Sequence, residues 1–135
     1  DDIYIYSDSK QGFYNLKFRA SNIRSWTINN LKQEKVLHQL KKQFTETPDA
    51  SLYFVTQSSC PIFGEVLPRG SSCTSREELE IVLKANKYIE EWNKLQDLLG
   101  FSDDEMLRFA KQVKFKHVID TEEIKDLTVQ KLQGA

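Results

Sequence analysis

Residues 13–20 have the sequence FYNLKFRA, in which aromatic and aliphatic residues alternate with polar and basic ones. A period of two is typical of a β-strand with two unlike faces. One face would carry the polar and basic side chains and one ring, namely Phe13, Asn15, Lys17 and Arg19. The other face would be apolar and would carry Tyr14, Leu16, Phe18 and Ala20. The stretch therefore predicts a half-buried strand whose basic face is the most function-like surface of the chain.

The segments around this strand indicate how the first half of the chain folds. Residues 2–6 are rich in β-forming side chains, and the polar run after them ends at Gly12, a pattern typical of an antiparallel hairpin. Apolar residues at spacings of three to five between positions 28 and 44 predict one amphipathic helix. Residues 51–57 predict a strand that is covered on both faces.

The second half is mainly helical. Ser75 and Ser102 each precede a glutamate by three residues, which is the capping-box pattern of a helix start, and Gly100 suits a helix end. Residues 114–119 predict a further strand, and residues 121–132 predict a last helix. The whole order predicts an α/β (α+β) fold with a small mixed β-sheet, an N-terminal antiparallel hairpin, flanking helices and a helical insertion.

Length and composition favour one packed domain over residues 1–135, because 39% of the residues are hydrophobic and 29% are charged. The chain begins at Asp1 and enters a strand pattern at once, so we expect a fragment of a longer protein with other domains. Cys60 and Cys73 lack the spacing of a zinc site. No apolar run approaches the roughly 18 residues that span a bilayer, so we expect a cytoplasmic protein without a membrane partner.

Charge is distributed unevenly along the chain although its formal net value is only -1. Glu34 is the only acid between Lys10 and Lys42, whereas the stretch from Thr74 to Glu105 has a surplus of acids. The overall charge would not attract nucleic acid, but a local basic surface would.

The predicted hairpin would bring Asp2 near Asn15 and Lys17. A carboxylate and a lysine at one strand pair suit metal-assisted phosphodiester cleavage, in which the metal polarises the phosphate and the ammonium stabilises developing charge. A solvated acid and the wet face of a hairpin are the plainer explanations of the same residues.

The segments Asp1-Asp2-Ile3, Tyr14-Asn15-Leu16-Lys17 and Trp26-Thr27 resemble the nuclease core whose motif is written PD-(D/E)xK. The chain is most similar to the restriction-endonuclease-like dsDNA endonuclease effector domains of bacterial anti-phage defence proteins. The resemblance implies a Mg²⁺-dependent DNA endonuclease in which Asp2 and Asn15 bind the metal and Lys17 is catalytic, with Asp1 as the alternative acid.

Asn15 departs from the family pattern, which has Glu, Asp or Gln at that position. An amide oxygen can bind Mg²⁺ but brings no charge, so the resemblance also allows a degenerate site. Five basic residues are candidates for nucleic-acid binding: Lys17, Arg19, Arg24, Lys32 and Lys35.

Two other functions fit the same residues. The first is a non-catalytic module with this fold that binds nucleic acid or an acidic protein. The second is an oligomerisation domain that uses the apolar stripe of residues 76–99. The sequence leaves open the choice among them and the oligomeric state.

Overall fold

The computed structural model of the chain describes residues 2–7, 12–17 and 25–117. The strands in this part of the chain are β1 (Asp2–Ser7), β2 (Gly12–Lys17), β3 (Ser51–Thr56) and β4 (Val113–His117). The α-helices are α1 (Ile28–Gln33), α2 (Val36–Glu46), α3 (Leu67–Ser71), α4 (Arg76–Val82), α5 (Tyr88–Leu99) and α6 (Asp103–Gln112). A π-helical turn (Ile62–Val66) precedes α3, and a 3₁₀ turn (Ala85–Lys87) precedes α5. None of these helices is long and apolar enough to cross a membrane.

The strands form one sheet in the order β1-β2-β3-β4. The three strands β2, β3 and β4 are parallel, and each connection between them passes through helices. β1 lies at the outer side of β2 and runs antiparallel to it. Because parallel strands need a crossover, α1 and α2 connect β2 to β3, and the remaining helices connect β3 to β4.

The fold class predicted from the sequence is wrong. We expected an α/β (α+β), restriction-endonuclease-like mixed sheet with an N-terminal antiparallel hairpin, flanking helices and a helical insertion. Three parallel strands and their helical crossovers instead organise the sheet, which is an α/β class. The error arises because a hairpin is formed by residues that are close in sequence, so its pattern is easy to recognise. Parallel pairing joins residues more than 30 positions apart and leaves no local signal.

The single helix predicted between positions 28 and 44 is interrupted. α1 ends at Gln33, and Lys35 adopts a left-handed conformation with φ of 65° before α2 begins. The interruption falls within the one five-residue step of the apolar pattern, from Leu31 to Val36, and both of these side chains are buried. A continuous helix would rotate the two away from each other, so the left-handed residue keeps both in the core.

The helical insertion is also more divided than the sequence predicts. Residues 62–71 are helical, and Lys87, which ends the 3₁₀ turn in a left-handed conformation with φ of 59°, separates α4 from α5. Gly100 ends α5 as predicted, with φ of 70° and its N–H donating to the carbonyl of Gln96 at 2.9 Å. The capping box at Ser102 is confirmed. Ser75 caps α4, but the Glu78 carboxylate accepts from Thr74 instead.

The main core lies between the helices and the face of the sheet that carries Phe54. Asn15 pairs in register with Phe54, so the face that we predicted to be the exposed one is covered by helices. Leu16, on the opposite face, is fully buried as well. The prediction of one buried and one exposed face for β2 is therefore wrong, because β2 is an inner strand of an α/β sheet.

Gly70 in α3 gives a test of how the insertion packs. A Cβ built on Gly70 would overlap Trp92 Cζ3 and lie 2.9 Å from Leu79 Cδ1. We expect Gly70→Ala to lower the free energy of unfolding by about 1–3 kcal/mol, as overpacked cores do. Urea unfolding followed by tryptophan fluorescence measures this change. Gly64→Ala is the matched control, since its nearest neighbour is a Phe115 side-chain atom at 3.2 Å, and an equal effect of both variants would contradict this packing.

Candidate functional site at the carboxyl edge of the sheet

The parallel strands end together in one row of residues. Lys17, Thr56 and His117 are register partners across β2, β3 and β4, and each is the last residue of its strand. We call this row the carboxyl edge. Open α/β sheets bind ligands outside the carboxyl ends of their parallel strands, where loops and helix starts leave a crevice. The carboxyl edge is therefore the candidate location of a ligand site.

Trp26 connects the start of α1 to this edge. Its indole Nε1–H donates to Thr56 Oγ1 at 3.0 Å, and its backbone N–H donates to the Ser59 carbonyl at 2.8 Å. The ring lies edge-on to Phe54 with centroids 5.3 Å apart. With Trp26 only 1% exposed, the indole donor needs a partner inside the protein, and Thr56 supplies it. The connector before α1 is thereby held against the end of β3.

Lys17 is half-buried, and its Nζ lies 3.8 Å from Glu34 Oε1 at the end of α1. Asp2 lies directly across from Lys17 in the pairing of β1 with β2. The sequence predicted that Asp2 and Lys17 would come together, and their backbone register brings these two positions opposite each other. Glu34 was the one acid of the basic stretch, and its contact with Lys17 was not predicted.

Asn15 is two residues before Lys17 on β2 and is only 4% exposed. Its Oδ1 has no hydrogen-bond partner among the described residues. Asn15 borders a cavity of about 10 Å³ that is also lined by Gln39 and Gln43 of α2. A buried acceptor without a partner costs roughly 1–3 kcal/mol, so its presence calls for an explanation.

A hard cation is one such explanation, because Mg²⁺ takes oxygen ligands and an amide oxygen is one of them. Asn15 fits as a neutral ligand. No group of three or more His, Cys, Asp or Glu side chains that could hold a metal occurs in the part of the chain whose side chains are described. An amide oxygen brings no charge, so Asn15 alone does not make a cation site.

The other predicted binding residues divide into two groups. Lys32 and Lys35 are exposed, one on α1 and one at the junction of α1 and α2. Arg19 and Arg24 lie outside the described residues, as does the predicted last helix.

His117 is a member of the carboxyl edge that sequence reasoning missed. Its Nε2–H donates to the Gln57 carbonyl at 3.1 Å, which in the neutral imidazole leaves Nδ1 as the acceptor nitrogen. The only sequence signal was its place in the predicted strand of residues 114–119. That signal has meaning only once the parallel register is known.

Replacing Asn15 tests whether its buried amide lowers the free energy of unfolding. Leucine has the same branched shape without the unsatisfied oxygen, so Asn15→Leu should raise the free energy of unfolding by about 1 kcal/mol. Leu16→Asn, the reverse change at the next residue, should lower it by about 3 kcal/mol. Urea titration of the three proteins measures both effects. If Asn15→Leu has a lower free energy of unfolding than the wild type, the amide oxygen already has a hydrogen-bond partner, and it is not available as a metal ligand.

The two cysteines are buried and free. Burial raises the pKa of the Cys60 thiol to about 12 and also raises the pKa of Cys73. At about pH 8 only roughly one Cys60 in ten thousand is a thiolate, so native protein should react with a thiol reagent far more slowly than unfolded protein. Equal rates with and without denaturant would contradict this burial.

Comparison of the chain with protein-family models, with curated proteins and with solved structures finds no match. Function must therefore be inferred from the chemistry of the carboxyl edge itself.

Proposed function

We propose that this chain is a Mg²⁺-dependent endonuclease-type domain that acts on DNA through the carboxyl edge. One observation carries the proposal: Asp2 and Lys17 occupy opposite positions in the strand pairing, beside the unsatisfied buried oxygen of Asn15. Carboxylate, amide oxygen and ammonium are the groups that metal-assisted phosphodiester cleavage uses. The motif resemblance of Asp2 and Asn15-Leu16-Lys17 supports the same chemistry.

Each residue has a separate task in this proposal. Asp2 and Asn15 would hold the cation, and Lys17 would stabilise the negative charge that develops on the phosphate oxygens. A bound Mg²⁺ supplies polarisation of the phosphate and a more acidic water. Glu34, whose Oε1 lies 3.8 Å from Lys17 Nζ, limits where the ammonium points.

The proposed ligands would bind a metal ion weakly. Asn15 replaces a charge with a dipole, and a divalent hard cation gains much less from an amide oxygen than from a carboxylate. We infer slow cleavage and low metal affinity for this chain taken alone. A partner domain or another segment of a longer polypeptide would then complete or activate the site, as in the cytoplasmic anti-phage defence proteins that the motifs resemble.

A second candidate is a non-catalytic module that binds nucleic acid or an acidic protein. It is favoured by the ion pair between Lys17 and Glu34 and by the absence of a cluster of metal-binding side chains in the described ranges. Exposed Lys32 and Lys35 would serve this function equally well. The two candidates differ in whether phosphodiester bonds are broken.

A nuclease assay on duplex DNA with Mg²⁺ or Mn²⁺ distinguishes them. We expect slow cleavage by the wild type, faster cleavage by Asn15→Asp at limiting metal, and none by Lys17→Ala. The reason is that the added carboxylate strengthens metal binding, while loss of the ammonium removes stabilisation of the transition state by about 3 kcal/mol or more. Lys116→Ala is the matched control, because Lys116 carries the same charge near the end of β4 but is not part of the carboxyl edge.

Metal-dependent cleavage that survives in Lys17→Ala would overturn the assignment of the site. DNA binding without cleavage in any variant would favour the second candidate. Metal affinity of wild type and Asn15→Asp, measured by calorimetry, shows whether the amide is the weak ligand.

A further inference from the structure

A small groove separate from the carboxyl edge has a chemistry that the proposed function does not use. It lies between α2 and the end of α5 and has a volume of about 240 Å³. Six residues line it: Lys32, Leu37, His38, Lys41, Leu98 and Leu99. Half of them carry basic groups and none carries an acid. We call this feature the α2–α5 groove.

The apolar residues of the groove differ in how much of each side chain is exposed. Leu37 and Leu99 are buried, whereas Leu98 is 39% exposed. Lys41 is exposed, with its ammonium 5.8 Å from the centre of the Phe101 ring. The ammonium is therefore accessible to an anion from the solvent side.

The surroundings of the groove extend its positive charge. Lys42 is exposed and lies four residues after His38 on α2, so the two side chains share one side of the helix. Lys35, at the junction of α1 and α2, is exposed as well. The pKa of Glu105 is lowered mainly by the Ser102 N–H that its carboxylate accepts at 2.9 Å, and to a smaller extent by the charge of Lys41.

The groove also has a defined relation to the carboxyl edge. Lys32 and Glu34 are two residues apart near the end of α1, which at about 100° per residue turns them roughly 200° from each other. Glu34 contacts Lys17, whereas Lys32 lines the groove. The two sites therefore lie on opposite sides of α1, separated by about the 10–12 Å width of a helix.

We propose that the α2–α5 groove binds a backbone phosphate of DNA and anchors the duplex beside the carboxyl edge. This inference rests on the proposed function for the identity of the anion. The basic groups bind the phosphate, and the exposed Leu98 packs on the adjoining sugar. The groove selects charge and not sequence, because it offers no group positioned to distinguish base edges.

The test measures binding of a short labelled DNA duplex in EDTA, where no cleavage occurs. Lys32→Gln combined with Lys41→Gln should weaken binding at least tenfold at low salt. The slope of log K against log salt should become shallower by about 2, because two phosphate contacts are lost. Lys87→Gln combined with Lys94→Gln is the control with the same change in charge. These lysines line a different groove beside Glu90 and Glu91 and should leave affinity within about twofold of the wild type.

Two further measurements make the result decisive. Lys32→Gln with His38→Gln repeats the experiment without disturbing Lys41, and circular dichroism and thermal melting confirm that each variant folds. A polyglutamate peptide and inorganic phosphate serve as competitors. Equal DNA affinity in groove and control variants overturns the proposal, as does groove-dependent binding of polyglutamate in preference to DNA.

Failure of the groove and failure of the endonuclease proposal give different results. Groove-dependent DNA binding together with no metal-dependent cleavage leaves the groove as a DNA anchor and removes the catalytic function. Cleavage that needs Lys17 but proceeds with unchanged DNA affinity in the groove variants does the reverse.

Discussion

The burial of Trp26 is the constraint on which the arrangement of the site depends. A large indole gains much by leaving water, but its N–H must then find an acceptor within the protein. Thr56 at the end of β3 provides that acceptor at 3.0 Å, and Phe54 two residues earlier packs against the ring. Once this contact is made, α1 starts beside the carboxyl edge. Glu34 then reaches Lys17, and Lys32 faces the α2–α5 groove.

The chain keeps one feature that stability alone would not favour, namely the buried oxygen of Asn15, which has no hydrogen-bond partner among the described residues. Strain of this kind tends to occur at functional positions because the surrounding structure has to maintain it.

Local chemistry was predicted well from the sequence. The capping box at Ser102 and the helix end at Gly100 each depend on residues within one helical turn, and both are confirmed. The strand around Phe54 was also predicted, because a run of apolar residues needs cover on both faces. The only sequence feature that indicates the interruption at Lys35 is the five-residue step between the apolar residues Leu31 and Val36.

The covered faces and the register of the strands, which depend on distant pairing, were not predicted. The two faces of β2 were assigned from alternation alone, but which face is covered depends on helices that follow in the chain. His117 acquired a place in the site only through its register with Thr56, which no neighbouring residue indicates. The meeting of Asp2 with Lys17 was inferred because those strands are close in sequence.

The long crossover before β4 has a consequence for how the chain folds during synthesis. Residues 57–112 separate β3 from β4, so β4 pairs only after the whole helical insertion has been made. Closing so long a connection is costly in entropy and slow. Until then β3 presents the apolar run LYFV (residues 52–55) at an open sheet edge, where another chain can pair with it. A ribosome that stalls within the insertion would thus release a polypeptide that is prone to aggregate. That polypeptide would also lack β4 and therefore His117.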